Sequence, residues 1–233
     1  MAAAITPLLV AGPAELAEAA ASWTAERITG AVAARRACYL ALAGGETPRG
    51  CYERLALPPY RDSLPWASVF VYWSDERQVP LDDPASNYAM AKAALLEHVP
   101  ISPDHVFPLV GDPTPALRRV PADASGRPRF DVIHLGLGED GHTASLFPGD
   151  RALREAQALV ARVHDAPKPP PERLTLTLPV INEARAVLFM VQGASKRGAL
   201  TRVLRRDPAL PAGLVQPLDG ELAFIVDRAA IGA

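Results

Sequence analysis

Four apolar runs in this chain share one construction, and it narrows the folds open to the chain. Ala41-Leu42-Ala43-Gly44-Gly45, Val71-Tyr72-Trp73-Ser74-Asp75, His134-Leu135-Gly136-Leu137-Gly138 and Met190-Val191-Gln192-Gly193-Ala194 are each the end of a mainly apolar run that opens into glycine or polar residues. A strand without polar alternation is buried on both faces, as in a parallel sheet covered by helices. Ligands bind beyond the carboxyl ends of such strands. The pattern therefore predicts an α/β protein with a three-layer, mostly parallel sheet and helices on both faces. It also gathers Gly44–Thr47, Asp75–Arg77, Gly138–His142 and Gly193–Lys196 around one crevice.

The segments between these runs fit a Rossmann-like alternation. Helical spacing predicts helices over 14–29, from Pro48 to Leu57, over 86–98 with Ser86 or Asn87 as cap, and over 195–205 with Ser195 as cap. Strands are expected over 37–43, 69–73, 106–110, 131–137, 159–163, 174–178, 186–192 and 222–227. Residues 111–129 read as a loop with at most one helical turn. No linker or repeat stands out, so a single domain over 1–233 is expected.

Composition excludes several functions. The 233 residues carry a net charge of -2, so no basic field draws nucleic acid. The apolar runs are too short for a membrane span. The opening stretch Met1–Glu15 has no basic n-region, so a cytoplasmic location is expected. Cys38 and Cys51 provide no disulfide framework and no metal-ligand spacing.

The strand ends carry the candidate chemistry. Gly44-Gly45-Glu46-Thr47 precedes a helix, where backbone N–H groups receive anions, yet a plain strand-to-helix turn needs the same glycines. Past the next strand, Asp75 and Arg77 read either as a forked anion contact or as a solvated loop with an ion pair. Asp140-Gly141-His142 is the sharper signal: a histidine that can take a proton, with a carboxylate close enough to orient it. A short helical start is expected after His142, stopped by Pro148-Gly149. His134 lies within a strand and reads as a buried histidine. Ser145 lacks the G-x-S-x-G setting of a nucleophile and reads as a capping or packing residue. Arg173 and Lys196 are cations placed to enter the crevice.

Gly136-Leu137-Gly138-Glu139-Asp140-Gly141 is also a literal G-x-G-x-x-G, and Asp165 follows at about the spacing of a ribose-binding acid. A dinucleotide site needs that motif to open a continuous helix, and Pro148-Gly149 forbids one. Glu139 and Asp140 would also repel a pyrophosphate. The motif reads as the approach to His142.

Four blocks together carry a resemblance. They are Ala43–Pro48; Ser74–Pro80 with Ser86-Asn87-Tyr88; Gly136–Pro148; and Arg173–Thr177 with Ile181-Asn182 and Gly193–Lys196. In this order they resemble the 6-phosphogluconolactonases, in the wider group that includes glucosamine-6-phosphate deaminases. The resemblance implies hydrolysis of 6-phospho-D-glucono-1,5-lactone to 6-phospho-D-gluconate in the oxidative pentose phosphate pathway, with no metal and no cofactor. It implies His142 as general base and Asp140 in support. Gly44, Gly45, Glu46 and Thr47 would form the phosphate-side turn. Asp75, Arg77, Arg173 and Lys196 would hold phosphate or substrate oxygens. The expected partner is a small sugar-phosphate lactone, with the protein a monomer or small homo-oligomer. The deaminases carry a pattern like Ile-Ala-Phe-Asn-Glu-Pro after the histidine. This chain has Thr143-Ala144-Ser145-Leu146-Phe147-Pro148 there, without the glutamate that supports ring opening. A non-catalytic sugar-phosphate-binding regulator is the remaining alternative.

Overall fold

A computed structural model describes residues 5–122 and 125–232. Nine strands are present among them: β1 (Leu8–Val10), β2 (Cys38–Leu42), β3 (Val69–Trp73), β4 (Asp75–Arg77), β5 (Val132–Leu135), β6 (Val160–Val163), β7 (Arg173–Leu176), β8 (Ala186–Val191) and β9 (Glu221–Asp227). Six of them form a parallel sheet in the order β1-β9-β8-β5-β2-β3. The other three form an antiparallel sheet in the order β4-β7-β6.

Every residue of β5 and β8 is buried, so both faces of the large sheet are covered. The long helix α1 (Pro13–Arg35) packs on strands β1, β2, β5, β8 and β9, and α2 (Glu46–Leu55) packs on α1. The α/β class with a parallel sheet flanked by helices is therefore the architecture of the chain.

The strand order fixes where a ligand can sit. The chain leaves β2 toward β3 on one side and leaves β5 toward β8 on the other. Adjacent strands with diverging connections make a topological switch, and a crevice opens beyond their carboxyl ends. Those ends are Ala43–Thr47 and Gly136–His142. The small sheet forms a second wall, because the chain passes from β3 through Ser74 directly into β4. The Ser74 N–H donates to Leu42 O at 2.8 Å in the large sheet, and Ser74 O accepts from Leu176 N at 2.8 Å beside β7.

One polar group lies deep in the core beneath this crevice. His134 on β5 is fully buried, and its Nε2 is 2.9 Å from Thr24 Oγ1. The Thr24 hydroxyl donates to Ala20 O, so it accepts from an Nε2–H tautomer of His134. Burial pushes the imidazole down to about 3.

Several local expectations need correction. Residues 106–110 form no strand: only Val106 bridges to Val71, and Pro108 has no N–H to continue a ladder. Asp75–Arg77 is a short strand, not a loop, because its partner β7 lies far away in sequence. β1, which the sequence pattern does not predict, pairs with β9 at the sheet edge. Ser86 caps the helix Asn87–Ala91, but a π-helical turn over Lys92–Leu96 follows where a plain helix to His98 is expected. Ser195 is not a cap: Gly193, with φ 96°, precedes a 3-10 turn over Ala194–Lys196 that leads into the helix Arg197–Leu204. The expected loop over 111–129 contains one turn of helix, Thr114–Leu117, and its residues 123 and 124 lie outside the described residues, as do residues 1–4 of the opening stretch.

Candidate active site

Gly138 sets the geometry of the site. Beyond β5 the chain folds into a tight turn in which Gly138 N–H donates to His142 O at 2.8 Å and Gly141 N–H donates to Gly138 O at 3.0 Å. No helix follows, contrary to the short helical start expected after His142; Thr143 and Leu146 bridge across a second turn instead. This removes the continuous helix that a dinucleotide site requires. The glycines have other reasons. A Cβ on Gly138 would lie 2.0 Å from His142 Nδ1 and 2.5 Å from Asp140 Oδ1, and Gly141 sits at φ 85°.

The space above Gly138 holds a histidine and its carboxylate. Asp140 Oδ1 is 2.6 Å from His142 Nδ1 and also accepts the His142 backbone N–H at 3.1 Å. A carboxylate accepts from Nδ1–H, which leaves Nε2 as the basic nitrogen. Among the described residues no hydrogen bond occupies Nε2. Phe147 packs against the ring with centroids 4.6 Å apart. Partial burial pushes the Asp140 carboxyl up, but the His142 N–H and imidazole outweigh it and hold the group below its ordinary range.

The crevice beside His142 has a volume of about 340 Å³, the size of a small-molecule pocket. Gly44, Gly45, Glu46, Thr47, Asp75, Arg77, His142, Arg173 and Lys196 all line it. Asp140 does not line it and stands behind the imidazole. The Glu46 side chain is 87% exposed and lies 3.7 Å from Arg49, so its carboxylate faces solvent rather than the turn.

Each wall is built from below. The Tyr52 hydroxyl accepts from Ala43 N at 2.8 Å and donates to Ala43 O at 3.0 Å, holding the end of β2 that feeds Gly44. Glu76 is fully buried and accepts from Arg77 N, Asn87 N and Tyr88 N at 2.7, 2.8 and 2.7 Å. Burial pushes its carboxyl up despite those three donors. Asp75 is buried against Ser145, whose hydroxyl donates to Oδ2 at 2.6 Å.

The cations differ in what they already hold. Arg173 is 6% exposed; its Nε donates to Pro170 O at 3.0 Å and a terminal nitrogen donates to Lys168 O at 2.6 Å. Burial lowers this guanidinium, while Asp75 pushes it back up and Arg77 lowers it further. Arg77 donates to Ala85 O at 2.7 Å, and its Nε is buried without a partner among the described residues. Lys196 lies 3.7 Å from Glu139. Lys168, Asn87, Phe147 and Gln192 also line the crevice, and the strand-end pattern does not mark them as site residues. Lys168 sits in a proline cluster that only the β6–β7 hairpin swings over the site. Asn87 carries a sequence signal only through the Ser86-Asn87-Tyr88 block.

Comparison with known proteins fits this arrangement. A family model described as glucosamine-6-phosphate isomerases/6-phosphogluconolactonase matches residues 11–224. A 6-phosphogluconolactonase of Synechocystis sp. is 41% identical over 218 residues, spanning 88% of this chain and 88% of the relative. A 6-phosphogluconolactonase of Rattus norvegicus is 36% identical, spanning 94% of this chain and 89% of its own. The solved 6-phosphogluconolactonase of Trypanosoma cruzi superposes with a TM-score of 0.84 at 28% identity, covering 99% of this chain and 97% of that one.

Proposed function

The chain belongs to the glucosamine-6-phosphate isomerase/6-phosphogluconolactonase family, and on that footing we propose that it hydrolyses 6-phospho-D-glucono-1,5-lactone to 6-phospho-D-gluconate in the oxidative pentose phosphate pathway. The observation that carries the reading is His142, lining the crevice with Asp140 2.6 Å behind it.

His142 Nε2 takes a proton from water as the water oxygen attacks C1 of the lactone. Asp140 holds the ring by Nδ1–H and stabilises the imidazolium that forms. The oxyanion at C1 is met by a crevice cation or by turn N–H groups. The C1–ring-oxygen bond then breaks, and the imidazolium returns its proton to the departing ring oxygen. The product carboxylic acid ionises and releases one proton to solvent. No covalent intermediate is involved.

The 6-phosphate is received by the Gly44–Thr47 turn, with Arg77 and Lys196 as the cations open to it. Arg173 acts from inside the wall: its donors hold the carbonyls of Lys168 and Pro170, so it positions that loop. Asp75 orients the same wall through Ser145. Thr143-Ala144-Ser145-Leu146-Phe147-Pro148 offers no carboxylate for ring opening of an amino sugar, which favours the lactone over glucosamine 6-phosphate.

The partner is thus a small sugar-phosphate lactone, and the protein works as a monomer or small homo-oligomer. No helix among the described residues is long and apolar enough to cross a membrane; the cytoplasm is the proposed compartment. Acid release from freshly prepared 6-phosphogluconolactone, run beside ammonia release from glucosamine 6-phosphate, decides between the two chemistries. Ammonia release overturns the reading, and binding of 6-phosphogluconate without turnover marks a regulator.

A further inference from the structure

The geometry points to Asn87 as a positioning residue that sets the Gly44–Thr47 turn, and through it the enzyme's preference for a phosphorylated lactone. The inference rests on the lactonase reading for the identity of the phosphate carrier, but its geometry is independent of the chemistry at His142.

Asn87 is 1% exposed and stands between two walls of the crevice. Its Nδ2 donates to Asp75 O at 2.8 Å and reaches Asp75 Oδ1 at 3.4 Å. Both partners are acceptors, so the amide nitrogen must face Asp75 and the oxygen must face the other way. That oxygen is buried without a donor among the described residues and presses on Gly44. A Cβ on Gly44 would stand 1.9 Å from Oδ1, 2.3 Å from Cγ and 2.7 Å from Nδ2. Gly44 has no positive φ, so its backbone would accept alanine. The three atoms such a Cβ would meet first all belong to Asn87, whose side chain therefore demands a glycine there.

The Asn87 backbone is itself fixed. Its N–H donates to the buried Glu76 carboxylate at 2.8 Å, and Ser86 caps the same helix by accepting from Ala89 N at 3.2 Å. A rigid block therefore runs from Glu76 through Asn87 onto Gly44, the first residue of the turn. Holding a turn in its anion-binding shape lowers the ordering cost of phosphate binding. Losing that hold weakens binding of phosphate-bearing ligands more than it slows the chemical step.

The test uses the full-length protein and four forms: wild type, Asn87→Ala, Gly44→Ala and the double variant. Calorimetry measures 6-phosphogluconate binding, initial rates give KM and kcat for the lactone, and thermal unfolding confirms that each form folds. Asn87→Ala should raise Kd and KM about tenfold with kcat within about threefold. Gly44→Ala should be more damaging, and the double variant should recover binding relative to Gly44→Ala because the clash is gone. Unchanged Kd and KM in Asn87→Ala overturn the inference. So does a double variant no better than Gly44→Ala, or a loss confined to kcat. A wild type that binds 6-phosphogluconate but turns over no lactone defeats the lactonase reading and leaves this inference measurable by Kd alone.

Discussion

Asp140 uses one oxygen, Oδ1, to take both the Nδ1 and the backbone N–H of His142, at 2.6 and 3.1 Å. A single acceptor thus fixes the imidazole at two points, its ring and its main chain. Asp140→Asn keeps an acceptor there but removes the charge facing the imidazolium. Steady-state assay should show kcat down by about tenfold to a hundredfold with KM nearly unchanged. An equal loss in KM instead would move Asp140 from supporting the base to binding substrate.

Gly138→Ala places a methyl group 2.0 Å from His142 Nδ1. The side-chain pair must swing away, while the Gly138 backbone itself tolerates alanine. Activity should fall by about two orders of magnitude while circular dichroism and the unfolding midpoint change little. Full activity in this variant would show that the His142–Asp140 spacing does not matter.

Ser145 should prove to be structural. Its hydroxyl is the donor to the buried Asp75 Oδ2 at 2.6 Å. Ser145→Ala leaves that oxygen without this donor and should cost about 1–3 kcal/mol in denaturant unfolding. A kcat within about tenfold of wild type is expected, whereas loss of a serine nucleophile would cost several orders of magnitude.

His134 makes stability depend on pH with a definite sign. Its folded-state value is pushed down to about 3, below that of an unfolded histidine. As pH falls from about 6.5 toward about 3, the unfolded chain takes up a proton that the folded chain refuses, so stability falls. Urea unfolding at steps of pH across that window should show the loss. His134→Gln should remove this histidine's share of the slope, whatever it does to stability at neutral pH. Identical slopes in both proteins would mean that His134 is not held neutral by burial.

What the sequence revealed follows from the range of the interactions involved. The strands β2, β3, β5, β8 and β9 were legible because two-sided burial writes itself as unbroken apolar runs. Their order was not, since pairing β5 between β2 and β8 depends on contacts far apart in the chain. β4 was hidden for the same reason: Asp75-Glu76-Arg77 has no strand-like composition and pairs with Arg173–Thr175 across the fold. In the crevice, His142 and the Gly44 turn announced themselves through local glycine chemistry. Arg173 reads from the sequence as a cation able to enter the crevice and does line it, but its hold on the carbonyls of Lys168 and Pro170 leaves no trace in side-chain identity. Glu46 lines the crevice as its place in the turn implies, while its side chain is largely exposed beside Arg49. The G-x-G-x-x-G resolved into separate demands, clearance at Gly138 and a positive φ at Gly141, which no motif count distinguishes from a nucleotide cradle.

The central claim is that His142 acts as the base for lactone hydrolysis. Its most direct test is the initial rate of acid release from freshly made 6-phosphogluconolactone by the wild type and by His142→Gln. Wild type should run far above the spontaneous rate, and His142→Gln should lose about two orders of magnitude or more in kcat while still binding 6-phosphogluconate. A near-wild-type kcat in His142→Gln, or a wild type no faster than spontaneous hydrolysis, would contradict the account.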